Sequence, residues 1–152
     1  MVLIIGIGNT LRRDDGAGWI LAQALAAALE QAGIAVTLEL HHQLTPEVAL
    51  IAAELQPAAV IFVDASAAVT SPVLTRIVAD TGGSAASHHL APATCLAILD
   101  KLYGVQVAGW LVQTPAEDFG HGEGLSDMAQ RGVDNAPAVA ATFVQDSNED
   151  AA

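Results

Sequence analysis

Two short stretches constrain the fold more than anything else in the chain. "VLIIGIG" (Val2–Gly8) and "AAVIFVDA" (Ala58–Ala65) are unbroken apolar runs rich in β-branched residues. A strand with one wet face alternates polar and apolar side chains, so a strand that does not alternate must be covered on both faces. "VAGWLVQ" (Val107–Gln113) has the same character, while "IAVTLELH" (Ile34–His41) sets Val36, Leu38 and Leu40 on one face. "PVLTRIVAD" (Pro72–Asp80) is a fifth candidate strand. Its opening proline and its arginine suit a sheet edge, where a missing N–H is tolerated.

Helical patterns lie between these runs. Leu21, Leu25 and Leu29 recur at a spacing of four, a stripe that would face the sheet. Thr45 followed by Pro46 and Glu47 reads as the start of a helix over "PEVALIAAEL". "APATCLAILDKLYG" reads as a third helix closed by Gly104. "LSDMAQRGVDNAPAVAATFVQ" reads as a fourth, kinked near Pro137. The alternation predicts an α/β fold, a three-layer α/β/α sandwich around a mostly parallel, five-stranded twisted sheet with one antiparallel edge strand. One domain is expected over 1–145, followed by a disordered acidic tail over 146–152.

Charge narrows the partners. The 152-residue chain has a net charge of −12, and its bases are Arg12, Arg13, Arg76, Lys101 and Arg131. Such a surface repels phosphate backbones and anionic bilayers, which argues against nucleic acid and membrane partners. No apolar run approaches the roughly 18 residues of a membrane span. The start "MVLIIGIGNT" lacks a basic segment and a small-residue cleavage site, so a cytoplasmic location is expected. Cys95 is the single cysteine, which leaves no internal disulfide, and its alanine-rich helix face suits a core position. Ser66 and Ser87 lack a Gly-x-Ser-x-Gly elbow, and there is no His-Glu-x-x-His helix.

Chemistry is expected after the strands, because parallel sheets bind ligands at their carboxyl ends beside the switch in strand order. "GIGNTLRRDDG" imitates a phosphate loop, yet Leu11 stands where a dinucleotide fingerprint has its third glycine, and no lysine completes a Walker pattern. Gly6 and Gly8 allow a tight strand-to-helix turn. Asp14 and Asp15 could both cap the following helix, although one acid suffices for that. The other could face Asp64, which ends a central strand. An imidazole from His41-His42 or His88-His89 would complete a donor set for a borderline divalent metal, with positions open to a substrate. The competing reading keeps the acids as caps in a non-enzymatic α/β module that binds a nucleotide or small ligand.

"GIGNTLRRDDGAG", "VIFVDA", "SHHLAPATCLAIL" and "GEGLS", in that order and spacing, resemble the nickel-iron hydrogenase maturation endopeptidases. The resemblance runs from Leu3 to about Phe143. It implies a phosphorylase/hydrolase-like fold and an aspartate-type endopeptidase. The implied reaction removes the C-terminal extension of a hydrogenase large-subunit precursor after nickel insertion. It also implies nickel contacts at Asp15, Asp64 and His88, with His89 as the alternative. The nickel would come with the substrate's metal centre and would not be a permanent cofactor. On the same resemblance Asp15 and Asp64 are catalytic, and Gly6, Gly8, Asn9 and Asp14 build the turn and cap. Better-known members carry Asp-Gly-Gly-Thr where this chain has "HHQLTPE", so that loop is read as a recognition element. His42, Gln43, Thr45 and His121 are the expected substrate contacts.

Overall fold

In the computed structural model, which describes residues 1–80 and 90–151, the strands form one sheet. They are β1 (Val2–Ile7), β2 (Val36–His41), β3 (Ala59–Ser66), β4 (Val73–Ile77) and β5 (Ala108–Pro115), arranged in the order β2-β1-β3-β5-β4. β1 pairs in parallel with β2 and β3, and β3 in parallel with β5. β4 runs antiparallel to β5 at the edge. Its Arg76 lies over the Trp110 ring at 5.5 Å and donates to the Gly109 carbonyl oxygen at 2.8 Å. The charged residue therefore secures the edge strand to its neighbour.

The helices are α1 (Ala17–Gln31), α2 (Pro46–Leu55), α3 (Pro92–Tyr103), α4 (Asp127–Asp134) and α5 (Ala136–Ala151). Side chains of β1 and β3 alternate between two cores. Val2, Ile4, Ile61 and Val63 pack with Leu21, Leu25 and Leu29 of α1 and with Val139 and Phe143 of α5. Leu3, Ile5, Val60 and Phe62 pack with Val48 and Ala52 of α2 and with Leu96 and Leu99 of α3. Both faces are covered, which is why these strands show no polar alternation. Each fully buried leucine or isoleucine contributes about 1.5–3 kcal/mol.

After β1 the chain moves outward to β2, then returns across β1 to β3. The switch point therefore lies between the ends of β1 and β3. Gly18 brings the start of α1 down onto that point. A Cβ there would run into the Ile7 carbonyl oxygen and lie 3.1 Å from that of Val63. The segment just before α1, which carries Asp14 and Asp15, is thereby delivered to the ends of both strands.

Two expectations are corrected. The stretch read as one kinked helix is two helices that meet at Asn135. Its backbone N–H turns back to the Gly132 carbonyl at 3.1 Å, and its side chain donates to the Arg131 carbonyl at 3.0 Å. Its own carbonyl accepts the Val139 N–H and so begins α5. Pro137 lies in the first turn of α5, where a missing N–H is harmless. The acidic stretch expected to be disordered continues α5 as far as Ala151. Acidic residues at a helix C-terminus oppose its dipole, but Asp150 gains an ion pair with Arg76 of β4 at 3.4 Å.

Candidate functional site

Four parts of the chain converge at the switch point to enclose a cleft of about 350 Å³. β1 and the turn after it supply Ile7, Gly8, Arg12 and Asp15. The segment after β2 supplies His42, Gln43 and Leu44, β3 supplies Asp64, and the approach to α3 supplies Leu90 and Pro92.

The turn after β1 is folded around its own acid. Gly8 has φ +151°, and a Cβ there would collide with the Asp15 carbonyl oxygen. The Asn9 N–H donates to Asp15 Oδ2 at 2.8 Å, and Asn9 Oδ1 accepts the Leu11 N–H at 3.0 Å. A 3-10 turn, Arg13–Gly16, then leads into α1. Asp15 itself lines the cleft.

Asp14 faces the other way and is fully buried. Its Oδ2 accepts the Glu117 and Asp118 N–H groups at 2.9 and 3.0 Å and the Ser126 hydroxyl at 2.6 Å. Its Oδ1 accepts the Ser126 N–H at 2.7 Å. Ser126 Oγ in turn accepts the Ala129 N–H as the cap of α4. Burial alone would push the Asp14 carboxyl up, but these hydrogen bonds outweigh it and hold the carboxyl below the usual carboxylate range. Neither acid caps α1, because Gly16 stands at its N-cap and offers no side chain. The doubled acid thus divides its work between the loop after β5 and the cleft.

Asp64 is in the opposite state. Burial raises its carboxyl, a hydrogen bond from the Ala65 backbone pulls partly back, and the charge of Asp15 raises it further, to about 6. The charge of Asp15 disfavours the ionised form of Asp64, and a bound cation would relieve that repulsion. The pair therefore fits a cation in its donor chemistry. Among the described residues no group of three His, Cys, Asp or Glu side chains comes together as a metal site. His88 and His89, the expected third donors, lie outside the described residues.

The recognition loop is only partly in the wall. His42 and Gln43 line the cleft, while Thr45 occupies the N-cap position of α2 and His121 is exposed on the loop after β5. Neither Thr45 nor His121 lines the cleft. Gly6 packs beneath Ala22 and Leu40. Trp19 was not singled out in the sequence, yet it supports this wall. Its indole donates to the His41 carbonyl at 2.9 Å, and its ring lies 5.4 Å from that of His42. An aromatic residue in the first turn of the helix that begins at the site was the available signal. Cys95 is buried in the α2–α3 core, and burial pushes its thiol up to about 11, so it holds no thiolate at neutral pH.

No protein-family model matches the sequence, and no curated protein matches it. Solved structures do. A NiFe hydrogenase maturation protease, HycI, from Thermococcus kodakarensis superposes with a TM-score of 0.65 at 22% identity, over 95% of this chain and 90% of that one. The maturating endopeptidase HybD from E. coli gives 0.63 at 19% identity, over 95% and 93%. The fold is that of hydrogenase maturation proteases. HybD from T. kodakarensis gives 0.61 at 22% identity, over 93% of this chain and 97% of that one. The likeness therefore extends over nearly the whole length of both partners.

Two substitutions separate the acids by their effect on stability. Asp14→Asn would turn an amide N–H₂ toward N–H donors, and should lower the unfolding free energy by about 2–4 kcal/mol in urea titrations at pH 7. Asp64→Asn should act in the opposite sense. With a folded pKa of about 6 against 3.8 for a free aspartate, Asp64 favours folding fully only below about pH 4, and that contribution is lost as pH rises through 6. Asp64→Asn should therefore match wild type near pH 4 and exceed it by on the order of 2 kcal/mol at pH 8.

Proposed function

We propose that this chain is a cytoplasmic endopeptidase that removes the C-terminal extension of a NiFe hydrogenase large-subunit precursor after nickel insertion. The observation that carries this reading is the Asp15–Asp64 pair in one cleft at the switch point of the sheet. The pair sits in a fold shared, nearly end to end, with hydrogenase maturation proteases. Two carboxylates in the cleft of an acidic chain disfavour a nucleotide and favour a cationic centre.

The nickel belongs to the substrate. Asp15 and Asp64 offer oxygen donors, and His88, or His89 beside it, offers an imidazole, which leaves positions for the donors that the precursor brings. Nickel held there supplies Lewis acidity to a water or a carbonyl. One of the two carboxylates takes the proton of the attacking water and passes it to the departing amine. His42 and Gln43 meet the substrate chain within the cleft, and Thr45 and His121 meet it beyond the wall.

Incubating the protein with precursor large subunit, nickel-loaded or nickel-free, tests this reading by mass on a gel. Only the nickel-loaded precursor should shorten, and Asp64→Asn and His88→Ala should each slow cleavage about 10²-fold or more. Variants that cleave at the wild-type rate would show the site to be elsewhere. A protein that cuts neither precursor and copurifies with a nucleotide would instead be a binding module.

A further inference from the structure

The cleft has a second electrical pole. Arg12 lines the same wall as Asp15 and Asp64 but forms an ion pair with neither. Its neighbour Arg13 reaches Asp118 at 3.9 Å, and Arg76 reaches Asp150 at 3.4 Å. Arg12 is also held firmly. Its N–H donates to the Asn9 carbonyl and its carbonyl accepts the Asp15 N–H, each at 3.0 Å. Its backbone bridges to Gly122, and its guanidinium Nη2 donates to the Phe119 carbonyl at 3.2 Å. Among the described residues that neutral acceptor is the one its guanidinium meets, and because Arg12 is exposed its other N–H donors and its charge are open to a bound chain.

Hydrolysis of a peptide makes two opposite demands around one carbonyl. A base must take the proton of the water, and a donor must hold the charge that develops on the oxygen. The carboxylates meet the first demand and repel the second. Arg12 is the one permanently charged cation in the described wall. We propose that Arg12 is a catalytic residue whose guanidinium binds the oxygen of the scissile carbonyl. This rests on the peptidase reading above. The oxygen of water bonds to the carbonyl carbon, the π pair moves onto the carbonyl oxygen, and Arg12 holds that oxygen by its N–H groups. The proton of the water passes to a carboxylate of the pair. When the C=O bond re-forms, the C–N bond breaks and the proton goes to the departing amine. The separation of Arg12 from both acids suits this role, since a closed ion pair would cancel base and donor together.

The test is steady-state cleavage of nickel-loaded precursor by the full-length protein, with thermal unfolding as a check on folding. Arg12→Gln should lower kcat about 10²–10³-fold, with KM held within about threefold. Arg12→Lys, which restores charge without the planar fork, should recover about tenfold of that loss. Arg13→Gln should cleave at the wild-type rate. An unchanged kcat in Arg12→Gln, or a rise in KM alone, would overturn the proposal in favour of no role or of docking only. If Arg12→Gln does not fold, Arg12→Lys decides, and a wild-type kcat in that variant overturns the proposal. A wild-type protein that leaves nickel-loaded precursor uncut overturns the peptidase reading and this role together. Cutting by wild type and Arg12→Gln alike overturns this role alone.

Discussion

The carboxylate of Asp14, buried beneath the surface, joins the turn after β1 to the loop after β5 by accepting from Glu117, Asp118 and Ser126. The backbone bridge between Arg12 and Gly122 runs alongside the same junction. Everything that faces the cleft from the first turn hangs on it. Asp15 follows directly in the chain, and the guanidinium of Arg12 is anchored to Phe119, which belongs to the pinned loop. A buried charge is costly unless its lone pairs are met, and here four donors meet them. The charge therefore becomes a rigid joint, and the groups next to it inherit that rigidity.

Asp14 and Asp64 show how one residue type can be used in opposite senses. Asp14 is stabilised as an anion by donors that exist only in the fold. Asp64, near the end of β3, is desolvated by burial with a second acid in the same cleft, and its charge is disfavoured. A strained ionisable group in a cleft, maintained against stability, is the usual mark of a site. Arg12 extends the same logic, because it lines the cleft with both acids and forms an ion pair with neither.

Much of the fold was legible because it follows from local pattern. Unbroken apolar runs required two covered faces, and the Leu21–Leu25–Leu29 stripe required a sheet beneath it. The harder features depend on partners distant in the chain. Sequence placed two acids at a helix start, where capping is the ordinary expectation. It could not show that the donors for Asp14 lie 103 to 112 residues away. The acidic end looked disordered by composition, and its ion pair is with an arginine 74 residues distant. Pro137 signalled a disruption correctly, but Asn135 determines that the disruption is a boundary between helices. Asp15 and Asp64 were legible as a pair because one follows β1 and the other lies near the end of β3, strands that neighbour each other in a parallel sheet. Arg12 was not, since nothing in the run Arg12-Arg13-Asp14-Asp15 shows which base enters the cleft and which pairs on the surface.

We propose that Asp15 and Asp64 face a cation together. Anomalous diffraction at the nickel absorption edge, from crystals of the protein exposed to nickel, measures this directly. One ion is expected in the cleft, ligated by a carboxylate oxygen from each of Asp15 and Asp64 and by one imidazole nitrogen. Nickel bound elsewhere, or in the cleft without both carboxylates, would contradict it.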